Sequence, residues 1–163
     1  MTDRKTTFET LDQLLKKDEA NLTRLAEALE QEHRALAGND MQQLEQATSE
    51  KNELLDALRE RAKQKIRLLA QLGYRPDSGQ AVSDFLRDQA GADSLLMQRW
   101  EAAQKQLNEC QHRNAVNGRI LGHLQRRISR ISDIIRGADQ QQALYGSTGE
   151  SRSLTHSQVF ASA

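Results

Sequence analysis

DSLLMQRWEAAQKQLNECQHRNAVNGRILGHLQRRISRISDIIRG occupies residues 93–137, and its spacing sets the architecture of the whole chain. Taken in alternating steps of four and three, it yields Leu96, Trp100, Ala103, Leu107, Cys110, Asn114, Asn117, Leu121, Leu124, Ile128, Ile131 and Ile135. All but the two asparagines are apolar or nearly so. Residues three and four apart share one side of a helix, so this is a stripe that leaves water only by facing another helix. No proline breaks it, and Gly118 lies beside the stripe rather than at an end. At ~1.5 Å per residue the span 93–136 forms a rod of roughly 65 Å, which is expected to run out at Gly137.

The same period recurs upstream. Phe8, Leu11, Leu15, Asp18, Leu22, Leu25, Leu29, Glu32 and Leu36 form a first seam, with Asp18 and Glu32 as polar interruptions. Gly38 and Asn39 supply residues that tolerate the left-handed conformation ending a helix. Asp40 can then cap the next helix, with Gln43 three residues on. So short a connection demands an antiparallel hairpin. The second seam reads Met41, Leu44, Thr48, Leu55, Leu58, Ala62, Ile66, Leu69 and Leu72, and a slip between Ala62 and Ile66 predicts that it drifts there. Pro76 biases Arg75 away from helix and closes the element, while Val82, Phe85 and Leu86 fit a short amphipathic helix before Gly91.

The predicted fold class is therefore all-α: an elongated antiparallel helical bundle made of a long helical hairpin plus a longer C-terminal helix. Composition divides it into a helical domain, 1–136, and a flexible partner-binding tail, 137–163, rich in Gln, Ser, Thr, Gly and Ala. Hydrophobic content of 37% and aromatic content of 4% are too low for a spherical core but suffice for narrow helical stripes. With a formal net charge of +0, bulk attraction to nucleic acid or membrane is not implied. A single cysteine allows no internal disulfide, which fits a reducing cytoplasm. No apolar run is long enough to insert in a membrane, and residues 1–7 lack the apolar segment of a secretory signal.

Catalytic and metal chemistry find no footing. His33, His112, His123 and His156 are scattered, and Cys110 and His112 point to different sides of a helix. No phosphate loop, zinc motif or nucleophile elbow is present, so neither an enzyme nor a cofactor is expected. Residues 111–136 carry six arginines against one aspartate, a local +5. The arginines are spread around the helix without interleaved aromatics, which fits a solvated face or a dock for an acidic protein better than a nucleic-acid footprint. Asn114, Asn117 and Gly118 mark the seam itself. An unpaired buried amide costs ~1–3 kcal/mol, so both asparagines are expected to find partners, and Gly118 is expected to admit a second backbone.

Asn114-x-x-Asn117-Gly118, an apolar run ending Ile134-Ile135-Arg136-Gly137, and Leu144-Tyr145-Gly146-x-x-Gly149 together resemble the C-terminal half of the FlgN family. Leu44, Thr48, Lys51, Leu54, Leu55 and Leu58 are similar to its second helix, and the likeness runs from the first hairpin to Gly149. The resemblance implies a cytoplasmic chaperone of flagellar type III export. Such a protein binds the hook–filament junction proteins FlgK and FlgL, guards their C-terminal segments and delivers them to the export gate protein FlhA. It implies no catalysis and no ATP use. By the same resemblance Tyr145, Gly146 and Gly149 look like the part that docks on the gate, with a cover for the bundle end as the other reading of Tyr145.

The residues themselves point to a substrate-binding patch. Ile128, Ile131, Ile134 and Ile135 crowd one end of the long helix, where the shorter second helix leaves them open or else covers them as core. Leu144, Leu154, Val159 and Phe160 are spaced in the tail like anchors for the same partner. Two other classes fit the composition: a structural coiled-coil adaptor, and a nucleic-acid-binding regulator using 111–136.

Overall fold

The computed structural model describes residues 4–144, with side chains described as far as Arg136. Every regular element in that range is helical: α1 (Arg4–Gly38), α2 (Met41–Gln71), a 3-10 turn (Pro76–Ser78), α3 (Val82–Ala90) and α4 (Leu95–Leu144). The protein is all-α, a long hairpin followed by a still longer C-terminal helix. It divides into two compact units, Met1–Ile120 and Leu121–Ala163, the second beginning within α4.

The hairpin turns where the sequence placed it. Asn39 takes the left-handed conformation at φ 54°, and Asp40 caps α2 by accepting a hydrogen bond from the Gln43 amide at 3.0 Å. Gly73 and Gly91 adopt φ of 99° and 91°, a region closed to residues bearing a Cβ without strain, and so end α2 and α3. Ser94 Oγ caps α4 by accepting from the Met97 amide at 3.2 Å.

Side-chain contacts give the helix directions in the first unit. Asp18 meets Arg61 and Lys65, whereas Glu32 meets Thr48 and Lys51, so α2 runs against α1. Cys110 Sγ lies 3.8 Å from the Leu22 carbonyl, and Asn117 Nδ2 lies 2.9 Å from the Leu29 carbonyl. Both chains advance by seven residues between those contacts, so α4 runs parallel to α1. The core is built on the α1 leucines Leu11, Leu15, Leu22, Leu25 and Leu29, with Met97, Trp100 and Ala103 from α4. Phe85 and Leu86 of α3 are buried with them, and Tyr74 stacks at a tilt on Phe85 with ring centroids 5.3 Å apart.

Three expectations need correction. Met41 and Ile66 stand 67% and 59% exposed, while Ala47 and Leu54 are buried in α2. Successive four-residue steps over-rotate a helical stripe, so by Ile66 the seam has turned out and Lys65 meets Asp18 of α1 instead, while Leu69 is buried as expected. Second, α4 does not stop at Gly137 but continues to Leu144. One interior glycine costs only about 1 kcal/mol, and the alanines and glutamines that follow are good helix formers. The compositional boundary after Arg136 thus falls inside α4. Third, Gly118 admits no second backbone: a Cβ built there meets nothing within 4 Å.

Candidate protein-binding site

The first unit contains a polar layer that the sequence showed only as flaws in a seam. Glu32 is buried, yet its carboxylate receives Lys51 Nζ at 2.7 Å, Thr48 Oγ1 at 3.2 Å and Asn117 Nδ2 at 3.0 Å. Asn117 also donates to the Leu29 carbonyl, which uses both amide protons. Its Oδ1 is therefore the acceptor for His33 Nδ1 at 3.1 Å, which sets the protonated nitrogen of that ring. One turn layer thereby ties α1, α2 and α4 together. A second buried carboxylate, Asp18, is held by Arg61 at 2.5 Å and by Lys65, whose ammonium also stands 5.7 Å from the Trp100 ring centre. The two carboxylates are thus met by cations from α2, although Arg61 Nη2 is buried without a hydrogen-bond partner.

Asn114 does not share this fate. It is exposed at the mouth of a small cleft lined by Leu25, Leu29, Lys51, Leu55 and Cys110. One step of four from Cys110 over-rotates it from α1 toward α2, whereas Asn117, a full heptad from Cys110, returns to α1. Cys110 itself is buried, and burial raises its thiol above the ordinary value, with Arg113 partly opposing the shift. It is a core residue and not a nucleophile.

The second unit presents the opposite situation. Ile128 is 64% exposed, Ile131 56%, Ile134 70% and Ile135 55%. Leu121 is exposed too, and Leu124 is half-buried. The four isoleucines predicted as a binding patch are thus brought together on one helix with their side chains in water. The side chain of Leu144 lies outside the described residues, as do Tyr145, Gly146, Gly149, Leu154, Val159 and Phe160. Among the described residues no cluster of His, Cys, Asp or Glu is placed to hold a metal, and no helix is long and apolar enough to cross a membrane.

A long α4 whose seam is buried and polar-locked up to Asn117 but open from Leu121 is an arrangement for presenting a helix face. The family model described as FlgN protein matches residues 1–153. The chain belongs to the FlgN family. No curated protein and no solved structure matches it. FlgN proteins are chaperones of flagellar export and not enzymes, and their kind of partner is the hook-associated protein. The paired layer of Glu32, Lys51 and Asn117 joins α1, α2 and α4.

Proposed function

We propose that this FlgN protein works in the cytoplasm as the carrier of FlgK and FlgL, holding their C-terminal segments and handing them to the export gate protein FlhA. The observation that carries this reading is the exposure of Ile128, Ile131, Ile134 and Ile135 along one helix. Fully covering an isoleucine yields about 1.5–3 kcal/mol, so four that are a little over half exposed offer roughly 4–7 kcal/mol. Association costs of about 4 kcal/mol or more offset most or all of that gain, so the isoleucines hold a client only together with the tail anchors. The net affinity is modest and reversible, which suits a carrier that must release its load. Leu144, Leu154, Val159 and Phe160 extend the same apolar contact, and Tyr145, with Gly146 and Gly149 beside it, docks on FlhA.

Co-purification with the C-terminal segment of FlgK tests the capture step, and Tyr145→Ala tests delivery. That variant should keep FlgK bound while weakening FlhA binding and FlgK export. If FlgK fails to co-purify with the folded wild-type chain, the carrier reading is wrong. Unchanged FlhA binding and export in Tyr145→Ala would remove the docking role alone.

A further inference from the structure

We propose that Asn117-Gly118 is a deamidation site, held shut by the polar layer of the first unit and converted to a carboxylate when that layer opens. Packing gives no reason for Gly118. It lies inside α4 without a positive φ, and a Cβ built on it meets nothing within 4 Å. Alanine would suit the helix better. What glycine supplies is access to the residue before it. Of the six asparagines in the chain, Asn117 alone is followed by glycine. An amide nitrogen with no side chain beside it can approach the preceding side-chain carbonyl carbon. In that reaction the Gly118 nitrogen gives its proton to solvent base and bonds to Asn117 Cγ. The Cγ–Nδ2 bond breaks, ammonia leaves, and a cyclic imide remains. Water then opens the imide at either carbonyl, giving aspartate or its isomer with the backbone routed through the side chain. The net change is water taken up and ammonia released, with no oxidant or reductant.

In the closed layer the reacting groups are engaged elsewhere. Asn117 is 3% exposed. Its Nδ2 donates to the Leu29 carbonyl at 2.9 Å and to Glu32 Oε1 at 3.0 Å, and its Oδ1 accepts from His33 Nδ1 at 3.1 Å. The Gly118 N–H lies inside α4, where a helical amide donates to the carbonyl four residues back and cannot swing onto Cγ. Reaction therefore waits for local opening of α4 from α1. The product does not rebuild what it replaced. A carboxylate at this position sets an acceptor against the Leu29 carbonyl and a second negative charge against Glu32, where the amide supplied two donors. A chain that has opened here long enough to react is marked irreversibly and closes less well than before.

The test follows the asparagines of the full chain by peptide mass spectrometry in mildly alkaline buffer, native and in denaturing urea. In urea Asn117 should convert faster than Asn108 and Asn114, which precede Glu109 and Ala115, and Gly118→Ala should remove that lead. In the native chain conversion at Asn117 should be slower by about a hundredfold or more, because the open form of a core helix is rare. Asn117→Asp, which stands for the product, should lower Tm by roughly 4–8 °C. Asn114→Asp, at an exposed position, should stay within about 2 °C of wild type. Adding Glu32→Gln to Asn117→Asp removes the facing charge and should recover part of the loss, or restore folding where the single variant does not fold. Equal rates at Asn117 in the native chain and in urea would show that the layer guards nothing. No lead of Asn117 in urea would remove the site itself. An Asn117→Asp chain that melts with the wild type, or one that Glu32→Gln does not improve, would show that the product does not disturb the layer. Any one of these results overturns the inference.

Discussion

Replacing Lys51 by methionine removes the cation from a carboxylate that has already left water. Lys51 Nζ lies 2.7 Å from Glu32 Oε2, and the two side chains are 15% and 5% exposed. Methionine preserves most of the apolar stem, so the perturbation is electrostatic rather than a cavity. Breaking a buried pair from one side costs about 3–5 kcal/mol, because the remaining charge is buried without compensation. Glu32 retains hydrogen bonds from Thr48 and Asn117, at 3.2 and 3.0 Å, which places the expected loss at the low end, ~3 kcal/mol. In a chain of this size each kcal/mol moves Tm by about 2–4 °C, so thermal melting followed by circular dichroism should show a fall of roughly 6–12 °C. Adding Glu32→Gln removes the stranded charge and should recover a third or more of that loss. A Lys51→Met variant within ~0.5 kcal/mol of wild type would mean that the layer is solvated and not a scaffold. A Glu32→Gln change that simply adds its own damage would refute the coupling.

Ile134→Asp should leave helix content and Tm nearly unchanged, because that side chain is 70% exposed, while binding of the FlgK segment in titration calorimetry falls about tenfold or more. Unfolding of the variant would show that the residue is core. Gly118→Ala should raise stability by about 0.5–1 kcal/mol in urea melts, since the site is helical and an added Cβ meets no neighbour; a loss there would reveal an approach that the structure lacks. The Cys110 thiol is held above its ordinary value by burial, so the folded chain keeps that proton longer than the unfolded one. The resulting term is fully present below the unfolded value, about 8.5, and is lost as pH rises through the folded one. Cys110→Ala should therefore show a shallower alkaline loss of stability than wild type, and equal slopes would contradict the burial.

The seam periods carried the helices, their order and the hairpin, because a stripe of period three and four has few ways to leave water. Asp40 and Asn39 were legible for the same local reason, as cap and turn residues act within their own neighbourhood. The polar layer was not. Asp18 and Glu32 look like defects in one helix, and their partners Arg61, Lys65 and Lys51 lie far along the chain on another. Periodicity also cannot distinguish a stripe covered within the chain from one left open. Cys110 and Ile131 occupy equivalent places in the same heptads, yet one is 4% exposed and the other 56%. Spacing does separate Asn114 from Asn117 once rotation is counted, since four residues from Cys110 overshoot the stripe and seven return to it.

Hydrogen exchange measured on the full chain, with and without the C-terminal segment of FlgK, bears most directly on the claim that the open face of α4 is where the client sits. The account predicts new protection concentrated in amides 121–136, with little change along α1 and α2, which are already covered by their own contacts. Protection confined to α1 and α2, with 121–136 exchanging as fast as in the free chain, would contradict it.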